Sequence, residues 1–344
     1  MKNAFTHTLP DPAEAFREAN GIVEGAAKRL RLSPEQSMAL MAQSNCIVQM
    51  FEQRGESPRK ALETIGRYAD MIAQYRGERF QPRISARNLA KGFTLYCIEP
   101  PCGSNTYILR RGGEVLFIDS GFACYAPEMH ALLCRLFPDF DGLSKRIAIT
   151  HPDEDHCGLL HWFERIYVSP MTWEFFRLEA EGQPNFRERN PMHAPYTRII
   201  RILSQYAAPP MERMHVIGDA PDDPDRPICY LGGLDFCGKR LDFYRGNGGH
   251  AVGEAVIVDE SERLVFSGDI AVNPAGFTAP QAAFNRLAPC LMKDVNMDSG
   301  RFREAHRALL RRFPQQRYTY CCGHGAIMDA DTPQGEEWKC AILD

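Results

Sequence analysis

The sequence predicts a layered α/β domain that follows a helical amino-terminal segment. Apolar residues recur at helical spacing over residues 1–90, whereas short β-type runs separated by glycine and proline begin near Lys91. Further along, apolar strands are followed by helical runs, which indicates the crossover connections of a layered fold. We therefore expect a helical extension at residues 1–90 and one α/β domain at residues 91–344.

Length and composition are those of an ordinary globular protein. The chain has 344 residues, enough for a large core, and its formal net charge of -4 argues against an electrostatic grip on nucleic acid or an anionic membrane. Residues 1–5 lack the apolar segment of a secretion signal, and no apolar run is long enough to span a bilayer. The 12 cysteines are scattered without a Cys-x-x-Cys pair, which favours reduced thiols. We expect a cytoplasmic protein with no nucleic-acid or membrane partner.

The helical segment contains two helix-start signals. Residues 33–36, Ser-Pro-Glu-Gln, combine a cap residue, a proline at the first helical position and a glutamine that can close a capping box. Ser57 and Pro58 repeat the signal. Four apolar residues then fall on one helical face: Leu62, Ile65, Ala69 and Ile72. The preceding helix is apolar as well, through Met38, Met41, Ile47, Val48 and Met50. Packing of this Met-rich helix pair against the main domain is the common interpretation, and a homodimer surface or a lid on a pocket is the alternative.

A strand meander follows the helices. Three β-type runs are separated by proline and glycine: residues 93–98, 106–109 and 115–118. The third run ends at Asp119, and a helical run at residues 127–136 leads to a buried β-branched run at residues 147–150. Later β-type runs lie at residues 241–244, 254–259, 263–266 and 318–322.

Residues 160–245 are less regular, and we expect them to include a variable segment that faces the substrate. Five arginines supply positive charge there: Arg177, Arg187, Arg189, Arg198 and Arg201. Arginine binds carboxylates and phosphates well, so an anionic small-molecule substrate is one hypothesis. The more common interpretation of such arginines is a solvated helical face.

Four strand ends carry the residue types that bind metal ions. The run at residues 147–150 leads directly into four of them: His151, Asp153, Asp155 and His156. Three more follow later β-type runs and lie beside glycine: His250, Asp269 and His324. Imidazole and carboxylate together suit zinc, iron or manganese rather than calcium. Because the pattern occurs at four strand ends, a metal site is a better interpretation than a polar surface loop.

These motifs resemble those of the metallo-β-lactamase fold. The family pattern is His-x-His-x-Asp-His, a Gly-His, a Gly-Asp and a final Gly-His-Gly. The matching segments here are residues 151–156, 249–250, 268–269 and 323–325, and residues 117–121 resemble the family's second strand motif. The likeness extends over residues 91–330. It implies a four-layer αββα sandwich, with a dinuclear metal site in the cleft between two sheets.

Carried over residue by residue, the resemblance implies a role for each of the seven side chains. His151, Asp153 and His250 would hold the first metal, Asp155, His156 and His324 the second, and Asp269 would bridge them. Two cations lower the pKa of a shared water and polarise the substrate oxygen. Asp155 could also orient the resulting hydroxide and accept its proton, which makes it the catalytic candidate, and a ligand role alone is equally compatible with the sequence.

One departure from the family pattern concerns metal identity. Asp153 stands where the pattern has its second histidine, so the ligand set has four histidines and three carboxylates. Harder oxygen ligands and added negative charge favour iron or manganese, with zinc as the alternative. The di-iron members of the fold, the flavodiiron and oxygen-binding proteins, are more similar here because they have a glutamate. Aspartate is one methylene shorter than glutamate. One alternative is therefore that Asp153 reaches the ion only through a water molecule, which would leave the first site weak or empty.

The resemblance implies a metal-dependent hydrolase in which a dinuclear-metal-activated hydroxide attacks an ester, thioester, lactone or phosphoester. A di-iron redox or dioxygen-binding protein is the second hypothesis, although we expect no room for a flavodoxin-like module after His324. A non-catalytic, metal-containing ligand sensor is the third. The substrate, the native metal, the number of filled sites and the oligomeric state do not follow from these residues.

Overall fold

The computed structural model of the protein describes residues 12–219, 225–287, 295–330 and 339–340. Residues 1–11, on which the expectation about secretion rests, lie outside them. The described helices are α1 (Pro12–Leu30), α2 (Pro34–Glu52), α3 (Arg59–Gln74), α4 (Ala126–Leu136), α5 (Pro170–Ala180), α6 (Ala194–Leu203), α7 (Ala279–Asn285) and α8 (Ser299–Arg312). The strands are β1 (Arg83–Leu89), β2 (Phe93–Glu99), β3 (Thr106–Arg111), β4 (Glu114–Ile118), β5 (Ser144–Ala148), β6 (Arg165–Val168), β7 (Met214–Val216), β8 (Cys229–Phe236), β9 (Lys239–Arg245), β10 (Ala255–Asp259), β11 (Leu264–Gly268), β12 (Thr319–Cys322) and β13 (Lys339–Cys340).

The predicted capping box at the start of α2 is present. The Ser33 hydroxyl accepts a hydrogen bond from the Gln36 backbone N–H at 3.2 Å, and the Gln36 side chain accepts one from the Ser33 backbone at 2.9 Å. Helix α3 differs, because its N-cap is Pro58 and has no side-chain cap. The four residues on the predicted apolar face of α3 are all buried, in a core that they share with the first sheet. The face therefore packs inside the chain.

Two sheets form the centre of the molecule. The first has the strand order β13-β1-β2-β3-β4-β5-β6-β7, and the second has the order β12-β11-β10-β9-β8. Neighbours from β1 to β4 are antiparallel, whereas β4, β5, β6 and β7 are parallel neighbours. Parallel neighbours need a crossover connection, and α4 supplies the one between β4 and β5.

Alternating side chains place the sheets face to face between layers of helices. In β4, Leu116 and Ile118 belong to the core between the two sheets, whereas Val115 and Phe117 belong to the core that contains α1–α6. The outer face of the second sheet packs against α8 through Leu309. The four-layer αββα arrangement expected from the resemblance is therefore confirmed.

The helical character expected through residue 90 ends earlier in the structure. Helix α3 ends at Gln74, and residues 83–89 form β1, which pairs along its whole length with β2. Most side chains of β1 are polar, and Arg83 forms an ion pair with Glu99, its register partner on β2. Backbone pairing and a cross-strand ion pair define this strand rather than an apolar alternation, so the sequence pattern did not indicate it.

Residues 160–245 also contribute more to the fold than the variable segment that we expected. Strands β6 and β7 extend the first sheet, and β8 and β9 form part of the second. With four residues in β6 and three in β7, these strands are too short for a clear alternating pattern.

The helices offer no candidate for a membrane span within the described residues, since none combines sufficient length with sufficient apolar character. Ten of the cysteines in that part of the chain are free thiols, in agreement with the reduced state that the sequence favoured.

Candidate metal centre

The seven predicted ligands converge at the ends of strands from both sheets. Four lie on the loop after β5, and the others lie before β10, directly after β11 and just after β12. Their ligand atoms form three overlapping groups, each with all atoms within 4.8 Å of one another: His151, Asp153 and His250; Asp155, His156 and His324; and His151, His156 and Asp269. Side chains 173 residues apart, from His151 to His324, thus meet in one cluster.

Distances between ligand atoms in the cluster suit a bound metal ion. Asp153 Oδ2 lies 3.5 Å from His151 Nε2 and 3.3 Å from His250 Nε2. In the other group, Asp155 Oδ2 lies 3.3 Å from His324 Nε2. Two ligands of a tetrahedral ion with bonds of about 2.0–2.1 Å are about 3.3–3.4 Å apart. The residues present therefore fit the metal ions that the motif implies.

Asp269 faces histidines of two of these groups, the one with Asp153 and the one with Asp155. Its Oδ1 lies 3.4 Å from His156 Nε2, and its Oδ2 lies 3.4 Å from His324 Nε2 and 3.5 Å from His250 Nε2. A Cβ atom at Gly323 would lie only 2.3 Å from Asp269 Oδ1, so the glycine makes room for this carboxylate. This position suits the bridging role that the resemblance implies, and the role itself stays a prediction.

Hydrogen bonds at Nδ1 orient three of the four histidines. The pairs are His156 with Asp119 at 2.8 Å, His250 with Asn296 at 3.0 Å and His151 with Thr150 at 3.0 Å. This network assigns the ring proton to Nδ1 and leaves the Nε2 lone pair directed at the cluster. The three Nε2 atoms are buried and have no hydrogen-bond partner. Buried acceptors without a donor are costly, and a metal ion satisfies them.

Asp119 organises the loop that carries the ligands. It follows β4 in a left-handed conformation, with φ of 58°, and accepts hydrogen bonds from the Thr150 backbone N–H and hydroxyl, both at 2.8 Å. The same carboxylate accepts the Nδ1–H of His156. The motif at residues 117–121 is visible in the sequence, but its resemblance to the family predicted no role for Asp119. The role could have been inferred from the sequence, because Asp119 is an acidic residue at the end of the strand that precedes the ligand-bearing strand.

Neighbouring charges keep two of the carboxylates ionised despite their burial. Burial raises the pKa of Asp153, but the charge of the Arg187 guanidinium outweighs it and holds the pKa well below its usual range. Burial likewise raises the pKa of Asp269, and the nearby histidines, His324 first, reverse the shift to well below the usual range. Both side chains are therefore in the form that a metal ligand requires.

The arginines of residues 160–245 do not form one solvated face. Arg187 is buried and pairs with Asp153, while Arg201, 15% exposed, pairs with Glu154 at 2.8 Å and Glu179 at 2.9 Å. These ion pairs connect the ligand loop to its surroundings. Both guanidinium groups are thus engaged by acidic side chains of the protein itself.

A cavity of about 350 Å³ opens onto the ligand cluster. Its walls are mostly apolar and include five aromatic side chains: Tyr68, Phe122, Phe277, Phe284 and Phe302. The Tyr68 ring comes from α3 and lies 4.9 Å from the Phe284 ring and 6.4 Å from the Phe122 ring. The helical segment thus forms part of the cavity wall. Sequence reasoning missed Tyr68, because an aromatic residue on an apolar helix face is usually a core residue.

Comparison with family models gives one assignment. Residues 100–282, more than half of the chain, match the metallo-beta-lactamase superfamily. The chain belongs to the metallo-beta-lactamase superfamily. The match contains six of the seven predicted ligands, whereas the amino-terminal helices and His324 lie outside it. The resemblance drawn from the motifs is therefore confirmed at the level of family and fold.

Solved structures with this fold are similar at low identity. The apo chemotaxis sensor ODP from T. denticola is 16% identical over 73% of this chain and 90% of that chain, with a TM-score of 0.45. A metallo-beta-lactamase family protein from Thermus thermophilus is 19% identical over 70% and 76%, with a TM-score of 0.46. A metallo-beta-lactamase from Pontibacter korlensis is 14% identical over 73% and 94%, with a TM-score of 0.43. A search of curated proteins gives no significant match.

Proposed function

We propose that the protein is a metal-dependent hydrolase that acts on an ester, thioester, lactone or phosphoester with a sizeable apolar group. One observation carries the proposal: seven ligand-type side chains, three with buried and unpartnered Nε2 atoms, converge beside an apolar cavity. Membership of the superfamily supports metal chemistry. The reaction class is argued from the site, because a fold alone does not fix it.

The donor set suits two transition-metal ions. We assign His151, Asp153 and His250 to the first ion, Asp155, His156 and His324 to the second, and Asp269 to both. When bound, such a pair supplies a Lewis acid for the substrate oxygen and lowers the pKa of a shared water.

Asp155 is the side chain that we assign to proton transfer. It lines the cavity, and its side chain is 19% exposed, more than Asp153 or Asp269. The Ser104 hydroxyl donates to the Asp155 backbone carbonyl at 2.5 Å and so fixes this part of the loop. From this position the Asp155 carboxylate would orient a water in the cavity and accept its proton.

Apart from the metal ions themselves, the cavity wall favours an apolar substrate group over an anionic one. Among its described lining residues Arg187 is the single Lys or Arg, and it already binds Asp153. The aromatic wall formed by Tyr68, Phe122 and Phe284 instead suits an aryl or branched alkyl group.

A panel of aryl and alkyl esters, thioesters, lactones and phosphoesters tests the proposal. We expect the purified protein to hydrolyse at least one class, with activity lost on chelation and restored by added metal. Asp155→Asn should lower kcat by about 100-fold or more, while Asp235→Asn, a surface control that is 73% exposed, should not. Metal-loaded protein without turnover on any class would refute the hydrolase proposal.

The oxygen-rich ligand set favours a di-iron redox or dioxygen-binding protein as the second candidate. Exposure of the iron-loaded protein to dioxygen should then change its visible absorbance and consume or bind dioxygen. An unchanged spectrum together with ester turnover would exclude this candidate. A non-catalytic ligand sensor is the third candidate and would retain a ligand tightly without converting it.

Metal identity is the next proposal. Because Asp153 adds an oxygen donor, we expect iron or manganese in preference to zinc in the purified protein. Elemental analysis that finds two stoichiometric zinc ions would contradict this preference.

A further inference from the structure

Asp153 shares its carboxylate with an arginine. Arg187 Nε donates to Asp153 Oδ1 at 2.7 Å, and Arg187 Nη2 donates to Oδ2 at 2.5 Å. Two parallel charge-assisted hydrogen bonds fix the plane of a carboxylate. The Oδ2 atom also faces the Nε2 atoms of His151 and His250, at 3.5 and 3.3 Å. One oxygen of Asp153 is thus directed at the first metal position, while the pair of bonds to Arg187 sets its orientation.

Arg187 is itself fixed by its surroundings. The side chain is 5% exposed, and its Nη1 donates to the Val295 carbonyl at 3.2 Å. Its Nη2 also reaches the His250 carbonyl at 3.5 Å, and its backbone N–H donates to Asn185 Oδ1 at 2.9 Å. Every nitrogen of the guanidinium therefore has a protein partner, so the group is held beside Asp153 rather than left for a substrate.

The ion pair between Arg187 and Asp153 changes the net charge of the ligand cluster. Asp153 stands where the superfamily motif has a histidine, and the exchange of a neutral imidazole for a carboxylate adds one negative charge. Arg187 brings one positive charge to the same position. Three carboxylates and one guanidinium carry the same net charge as the two carboxylates of a five-histidine set.

We propose that Asp153 and Arg187 act together as one uncharged ligand unit at the first metal position. Asp153 offers Oδ2 to the ion, and Arg187 orients the carboxylate and cancels its charge. Arg187 is a positioning residue, since it acts through Asp153. The inference rests on the proposed function only in requiring that a metal binds there. If Arg187 cancels the charge of Asp153, added negative charge no longer favours iron or manganese over zinc. The preference then rests only on the oxygen donor atom that Asp153 supplies.

Zinc binding to a set of variants tests this unit without measuring activity. Stoichiometry comes from elemental analysis, and affinity comes from competition with a chromogenic chelator. Asp153→His alone leaves the buried guanidinium without its anion beside the ion, so we expect the first zinc to bind at least tenfold more weakly than in the wild type. Adding Arg187→Met removes that cation, and the double variant should bind the first zinc at least tenfold more tightly than Asp153→His alone. The pair D153N and D153N/R187Q repeats the comparison with smaller changes.

Retention of the second zinc, together with thermal unfolding in excess chelator, shows that each variant is folded. Equal first-site affinity in D153H and D153H/R187M would overturn the inference. So would a wild type that holds one zinc while R187M holds two, because Arg187 would then compete with the ion. A wild type that binds no metal of any kind would overturn the proposed function itself. That result differs from equal first-site affinity in D153H and D153H/R187M, which would overturn only the role of Arg187.

Discussion

At the scale of single residues, the ligands are held by neighbours that the sequence motif does not contain. The Thr150 hydroxyl donates to Asp119 at 2.8 Å and accepts from His151 Nδ1 at 3.0 Å, and Asp119 also binds His156. One carboxylate thus orients two imidazole rings. Outer contacts of this kind typically contribute about 10–100-fold to metal affinity.

Asp269→Ala is expected to remove at least one metal ion per chain, because the carboxylate faces histidines of both groups. Elemental analysis after dialysis measures the loss. Asp235→Ala, which changes a surface carboxylate, is the matched control and should keep the wild-type metal content. An unchanged metal content in Asp269→Ala would refute the bridging role.

Asp119→Ala should weaken metal affinity by about 10–100-fold although it replaces none of the seven ligand residues. The reason is that His156 and Thr150 lose the acceptor that orients them. Chelator competition measures the change. Asp139→Ala, at an exposed carboxylate, serves as the comparison. Equal affinity in the two variants would show that the network around Asp119 does not position the ligands.

At the scale of elements, the amino-terminal helices have both a structural and a site-forming role. Sequence periodicity predicted the buried face of α3, and the capping box predicted the start of α2. Neither pattern indicated that Tyr68 of α3 would line the cavity beside Phe284. Periodicity tells which face of a helix is buried, whereas the partner of that face depends on how distant segments pack.

Ser33→Ala is expected to lower the free energy of unfolding by about 1 kcal/mol, because it removes the side-chain half of the α2 capping box. Urea unfolding followed by circular dichroism measures the change. Ser37→Ala on the same helix is the control: its hydroxyl only bonds back to the Ser33 carbonyl, and its effect should stay within about 0.5 kcal/mol. Similar losses in both variants would contradict a specific capping contribution.

Tyr68→Ala is expected to raise KM for an aryl ester substrate by about tenfold or more, because it removes an aromatic wall that packs on Phe122 and Phe284. Tyr68→Phe keeps the ring and should stay close to the wild type. Steady-state kinetics on aryl and short alkyl esters separates the two variants. A loss in Tyr68→Phe as large as that in Tyr68→Ala would assign the effect to the hydroxyl instead.

At the scale of the whole molecule, the metal site connects loops from both sheets, so metal binding should stabilise the folded chain. With free metal about 100-fold above Kd, we expect about 2.7 kcal/mol of added stability. Thermal unfolding with and without chelator measures it. The Asp269→Ala variant should show a smaller chelator effect, and an equal effect would place the stabilising ion elsewhere.

A homodimer through the amino-terminal helices stays a prediction. The Met-rich pair of α2 and α3 suggested it. The apolar face of α3 packs inside the chain, within the same core as the first sheet, whereas Met38 of α2 is 66% exposed. Light scattering at several protein concentrations would test association directly. A dimer would have to use surfaces other than the face of Leu62, Ile65 and Ile72.

The sequence by itself determined the types of most elements, the seven ligand candidates and the family, because helical and strand periods and ligand types at strand ends are local properties. Only the tertiary structure decided the contacts around them. Asp153 and Arg187 lie 34 residues apart, and β1 carries no apolar alternation, so neither the ion pair nor the strand has a local pattern. Those features arise when layers pack and bring together distant side chains whose charges and shapes fit, which no window of neighbouring residues contains.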